Sequence, residues 1–155
     1  MSDSVLTKIR KALVYQLSQI TTANNYLTNV HNVYDEMMAL ENMKEYPSAI
    51  VVMMKDEAKS EEIVTTNKQV VYEVIFGLHE INDMATAKEN VIQDVEKRLG
   101  IYYMLPSSEG ECTCKIARVI ESLTYGYKEN KPNGLVILKI LVEYRQLTQD
   151  PTRRQ

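Results

Sequence analysis

Residues 69–81 read QVVYEVIFGLHEI, and this stretch decides the fold class. Val70, Tyr72, Val74, Phe76 and Leu78 fall on one side of a period of two, against Glu73, Gly77 and His79 on the other. Such alternation marks a strand with one face buried. A second strand follows the polar stretch Lys128-Glu129-Asn130-Lys131-Pro132-Asn133-Gly134, whose Asn-Gly pair suits a hairpin turn, and Leu135 to Tyr144 is strongly apolar. A sheet built on these strands needs a helical cover.

Two amphipathic segments supply it. Val5, Ile9, Leu13, Leu17 and Ile20 recur at helical spacing behind Asp3 and Ser4, which predicts a capped helix over 4–21. Thr86-x-x-Glu89 has the capping-box pattern, and Val91, Val95 and Leu99 precede Gly100, which predicts a helix over 85–99 with a glycine cap.

Outward from these landmarks, Tyr26 to Tyr34 alternates and reads as a strand, and 35–45, DEMMALENMKE, as a short helix stopped by Tyr46-Pro47-Ser48. Ala49 to Met54 lacks alternation and reads as a strand covered on both faces, with Met53 and Met54 in the core. Residues 55–68, KDEAKSEEIVTTNK, form a long exposed loop or an extended hairpin. Pro106 to Gly110 is a turn, and Cys112 to Tyr127 is one long strand or two with a bend. The expected fold is α+β: a mostly antiparallel sheet of four to five strands packed by two main helices. It forms a single domain over 1–155 with flexible ends at 1–3 and 150–155.

Composition excludes several functions. A chain of 155 residues, 45% hydrophobic and 25% charged, is ordinary for one folded domain. Net charge is −3 and the basic residues are scattered, so a phosphate-binding stripe is absent and direct nucleic-acid binding is not expected. The N-terminal MSDSVLTKIRK lacks the apolar core of a secretion signal, and no run approaches the ~20 apolar residues that span a bilayer, which points to a soluble, intracellularly made protein.

Little in the chain points to catalysis. Five glycines leave no phosphate-binding loop, and no serine sits in a nucleophile elbow. His31 and His79 each lie in a predicted strand, where packing or surface exposure is the ordinary role. Cys112 and Cys114 would share a strand face as free thiols; a closed metal site needs more soft ligands than they offer. Glu57, Glu61 and Glu62 lack the spacing and glycine of a calcium loop. No catalytic, cofactor or metal residue is assigned, and the chain reads as an assembly protein before an enzyme.

Two biases favour assembly. Eight methionines cluster around Met37, Met38, Met43, Met53 and Met54, and methionine adapts to irregular partner surfaces. Ten tyrosines stand against one phenylalanine and no tryptophan, which suits surfaces buried by another subunit behind a wet rim. The candidate interface is therefore Met37, Met38 and Met43, the charged arm residues Glu57, Lys59, Glu61, Glu62 and Lys68, and Tyr125, Tyr127, Lys128 and Lys131 around the hairpin loop.

The order of elements, with Asn25-Tyr26 after the first helix, Tyr46-Pro47 before the buried strand, Leu135 to Tyr144 ending in Val142-Glu143-Tyr144-Arg145, and then Asp150-Pro151, resembles the tail terminator proteins of long-tailed phages. These are also called tail completion or tail-to-head joining proteins. The resemblance covers residues 5–151. It implies an α+β subunit of a ring, usually a hexamer, which caps the head-proximal end of the tail tube, ends its polymerisation and offers a surface to neck or head-completion proteins. It implies no cofactor and no catalytic residue. The expected partners are further copies of this chain, the tube protein and a neck or head-completion protein. DNA would pass through an acidic lumen without specific binding, and no membrane is involved. The expected location is the virion tail and neck, and the host cytoplasm during assembly. The stretch 55–68 and the tyrosine count depart from commoner members. Another neck or head-tail connector subunit, or a small ligand-binding or enzymatic α+β domain, are the competing readings.

Overall fold

A computed structural model describes residues 3–61, 65–80, 82–101, 105–111, 113–126, 132–147 and 150–154. The first helix, α1, spans Val5–Ser18; the Ser4 side chain accepts the Thr7 N–H at 3.1 Å, and Val5, Ile9, Ala12, Leu13, Gln16 and Leu17 form its buried face. It stops before the expected 21 because the Gln19 N–H turns back to the Gln16 carbonyl, and a short 3-10 turn, Thr22–Asn24, follows. Asn25 closes that turn in the left-handed region at φ 68°.

The alternating segment 26–34 is not a strand over most of its length. Only β1, Val33–Tyr34, pairs with a neighbour. The Leu27 and Thr28 N–H groups go to a carboxylate instead of a sheet partner, so alternation there did not signal pairing. The expected helix at 35–45 is only a 3-10 turn, Leu40–Asn42, and the Tyr46–Pro47 peptide bond is cis.

The sheet is carried by long strands. β2 is Ser48–Glu61, β3 is Thr65–Leu78, β4 is Ile116–Gly126, β5 is Gly134–Leu147 and β6 is Asp150–Arg154. Their order is β1-β2-β3-β5-β4, with β6 pairing β5, and every pairing except the parallel β1–β2 contact is antiparallel. The fold is α+β, as expected. Of the two readings of 55–68, the extended hairpin is the one adopted: β2 and β3 run together from Ser48↔Gly77 to Glu61↔Thr66. The C-terminal residues expected to be flexible instead add β6 to β5.

The second helix, α2, is Met84–Ile101. Its cap is Asp83, not the Thr86 capping box: Asp83 Oδ1 accepts the Thr86 N–H at 3.1 Å and Oδ2 the Thr86 hydroxyl at 2.7 Å, and these bonds hold the Asp83 carboxyl below its ordinary pKa. Gly100 lies inside the helix and does not cap it. Both helices cover one sheet face. Val70, Tyr72, Val74, Phe76 and Leu78 of β3 and Val136, Leu138, Ile140, Val142 and Tyr144 of β5 form the core with Ile9, Leu13, Leu17, Val91, Val95 and Leu99.

Several side-chain expectations change. Met53 and Met54, expected in the core, are 51% and 53% exposed: burial on both faces of β2 ends at Val51, and the register breaks at Met54. His31 and His79 lie outside the strands. Cys114 is buried just before β4, and Cys112 lies outside the described residues.

Candidate assembly interface

The sequence-derived interface residues divide between the two ends of the sheet. Ser48, Gly77, Leu135 and Tyr125 form one row across β2, β3, β5 and β4, while Ala58, Lys68 and Tyr144 form another. Along β3 these rows are about 30 Å apart at the rise of an extended strand.

At the first end, Tyr125 is 47% exposed whereas Met43 is buried; Met37, in the segment after β1, is 69% exposed. Gly77 explains the difference. A Cβ there would stand 3.1 Å from Met43 Sδ and 3.3 Å from Tyr46 Cε1, so the absent side chain lets residues 43–46 lie on the sheet's second face. Met43 is thereby spent on the fold, and Met38 is half-buried.

At the other end, Glu57 and Lys59 project from β2; Glu57 sits 3.2 Å from Lys55 and Lys59 3.8 Å from Glu143, and all four side chains stay at least a third exposed. Lys68 differs. Its ammonium is bonded to Asp56, which also accepts the Tyr144 hydroxyl at 2.9 Å, and this cluster faces the helices under the arm. Burial, then the bond to Asp56, raises the Tyr144 pKa far above its usual value; burial does the same for Tyr72. Lys68 therefore anchors the arm. The Glu61 side chain is not described, and Glu62, Tyr127, Lys128 and Lys131 lie outside the described residues.

Sequence reasoning missed the two carboxylates that organise these regions, Asp56 and Asp94. Asp94 is 3% exposed on α2 and takes the Leu27 and Thr28 N–H groups. Nearby, Arg98 Nε donates to Gln16 Oε1 at 2.8 Å and Gln16 Nε2 to the Pro106 carbonyl at 2.7 Å, tying both helices to the segment before β4.

A cleft of about 440 Å³ lies between residues 27–31 and the start of α2, and it brings His31 and His79 together from distant parts of the chain. His31 Nδ1 is 2.8 Å from Glu45, and His79 Nδ1 is buried with no hydrogen-bond partner among the described residues. The lining Thr86 hydroxyl is donated to Asp83, the arrangement of a helix cap and not of a nucleophile with its base. Among the described residues no group of three His, Cys, Asp or Glu is placed to hold a metal ion, and no helix is long and apolar enough to cross a membrane.

No protein-family model matches the chain, and no curated protein matches it in sequence. Among solved structures it is similar to the sheath/tube terminator of PVC, an extracellular contractile injection system, in the extended state. The TM-score is 0.51 at 11% identity, covering 100% of this chain and 62% of that one. The chain thus spans less than two thirds of that terminator's length. At this identity the likeness concerns the fold alone: the chain shares the architecture of that sheath/tube terminator.

Proposed function

We propose that this chain is a structural, non-catalytic subunit that caps the end of a tail-like tube. Copies close into a ring, six in number, at the head-proximal end of a phage tail; the ring ends tube polymerisation and offers its far side to a neck or head-completion protein. DNA passes through the lumen without specific binding. The protein resides in the virion tail and neck, after assembly in the host cytoplasm.

The observation that carries this reading is the likeness of fold, over the whole of this chain, to a sheath/tube terminator. The arm agrees with it. Residues 55–61 and 65–69 form a charged hairpin whose β3 side stays paired with β5 as far as Leu147, pinned by Asp56, Lys68 and Tyr144, so that its exposed β2 side is a rigid charged edge suited to meeting a neighbour. Closure of a head-to-tail ring limits growth, which is what a terminator must do.

The test is electron microscopy of particles assembled with and without the chain. With it, tails of uniform length carry the protein as a ring at the tube end; without it, tubes overgrow. Location on the portal side favours a different connector, and a chain absent from the particle ends the proposal.

A further inference from the structure

The two long edges of the sheet are built differently. Beyond its short contact with β1, the β2 edge is broken by irregularities at Met54 and Lys59 and carries exposed Lys55 and Lys59. Bulges and lysines of this kind discourage strand addition. The β4 edge has one irregularity, at Ile120, and exposes Ile116, Ile120 and Tyr125 at 40%, 48% and 47%. Among the described residues no strand pairs with its free side.

The irregularity redirects side chains. Arg118 stands opposite Leu141 and Glu121 opposite Lys139, and those two β5 residues share a face. Arg118 and Glu121 therefore point the same way although they are three apart, which a regular strand forbids. Ile116 and Leu123, opposite Glu143 and Ile137, join them; Ala117 and Ser122, opposite Val142 and Leu138, point to the helical face.

We infer that β4 is a self-complementary edge on which a second copy of this chain docks. The two β4 strands pair antiparallel about a two-fold axis lying between Val119 and Ile120. Arg118 then meets Glu121 of the partner subunit, and Ile116 meets Leu123 of the partner subunit. Ala117 meets Ser122 of the partner subunit on the helical face. Every pair falls on its proper face, and it does so because of the bulge: in two copies of one regular strand paired about a two-fold axis, directly opposed residues must have numbers of equal parity, which 118 and 121 lack. Both charges are available. Arg118 is exposed with no ion pair among the described residues, and Glu121 holds Lys139 through Oε2 at 3.2 Å, leaving Oε1 for a second cation. An isologous contact stops at two copies and covers the unprotected edge of each. This pairing goes beyond the tube-end reading and does not rest on it, since it concerns the free chain and a ring needs head-to-tail contacts elsewhere.

The experiment is light scattering on the full chain over a concentration series. Wild type is expected to move from 17.8 kDa towards twice that mass. Arg118→Glu and Glu121→Arg each place like charges at both crossings and should remain monomeric. An equimolar mixture of the two variants should recover the dimer, because every crossing is then between opposite charges. Circular dichroism checks that each variant is folded, and the milder Arg118→Gln should weaken the dimer about two- to thirty-fold. A wild type that stays monomeric, single variants that keep the wild-type mass, or a mixture that does not recombine overturns the pairing. A closed ring indifferent to these variants would overturn it and leave the tube-end reading intact, whereas absence of the chain from tube ends would do the reverse.

Discussion

Asp94 of α2 lies beneath the backbone of Thr28 and accepts its N–H at 2.7 Å through Oδ2, while the Leu27 N–H reaches the same oxygen at 3.0 Å. One buried carboxylate thus satisfies a loop that leads to β1. Asp94→Ala leaves both N–H groups without that acceptor in a site that is 3% exposed. The expected loss is about 3 kcal/mol of unfolding free energy, measured by urea denaturation. A change under about 0.5 kcal/mol would mean that water or another group replaces the carboxylate without penalty.

Tyr72 and Tyr144 are held neutral, chiefly by burial, with Asp56 adding to the effect at both. Their folded pKa values are raised, so the unfolded chain, whose tyrosines ionise near pH ~10, releases these protons first. The stability they contribute is complete below that pH and is lost as pH rises above it. Ultraviolet titration should show both ionising only together with the loss of circular dichroism. Ionisation of every tyrosine in a still-folded chain would contradict this.

Gly77 lets residues 43–46 lie on the second face of the sheet, with Met43 Sδ 3.1 Å from the position of an added Cβ. Gly77→Val must displace Met43 and Tyr46 and is expected to cost about 1–3 kcal/mol, with Gly77→Ala costing less. Thermal unfolding of the pair measures the difference; equal stability of both variants with wild type would show that this cover is loosely packed.

Two lysines on the arm should behave in opposite ways. Lys59 is 51% exposed and its 3.8 Å pair with Glu143 is weak, so Lys59→Gln together with Glu57→Gln should change stability by less than about 0.5 kcal/mol while reducing binding to assembled tubes. Lys68→Met strands Asp56, which is 16% exposed, and should cost about 3 kcal/mol. Co-sedimentation with tubes and urea denaturation separate the two effects. If Lys59→Gln destabilised the chain as much as Lys68→Met, the β2 side of the hairpin would not be the free charged edge described.

The elements legible in the sequence were those whose pattern and burial coincide. Val70 to Leu78 alternate because one side faces the helices, and Val91, Val95 and Leu99 lie on one helical face for the same reason. The segment 26–34 alternates too, yet its N–H groups are met by Asp94, a residue 66 positions from Thr28. Periodicity describes which side of a chain is apolar and does not say what satisfies its backbone. Met43 and Met37 are equally apolar by type, and only the missing Cβ at Gly77 buries one of them.

By itself, the sequence determined the α+β class, the two helices and the long antiparallel strands, because hydrophobic period is a local property that survives without knowledge of neighbours. Tertiary structure alone decided which side chains of 55–68 anchor the hairpin and which line its exposed edge. The Asp56–Lys68 pair forms only when β2 and β3 are in register, with Tyr144 of β5 beside it. It also decided that Arg118 and Glu121 share a face, since a bulge exists only relative to the strand opposite it.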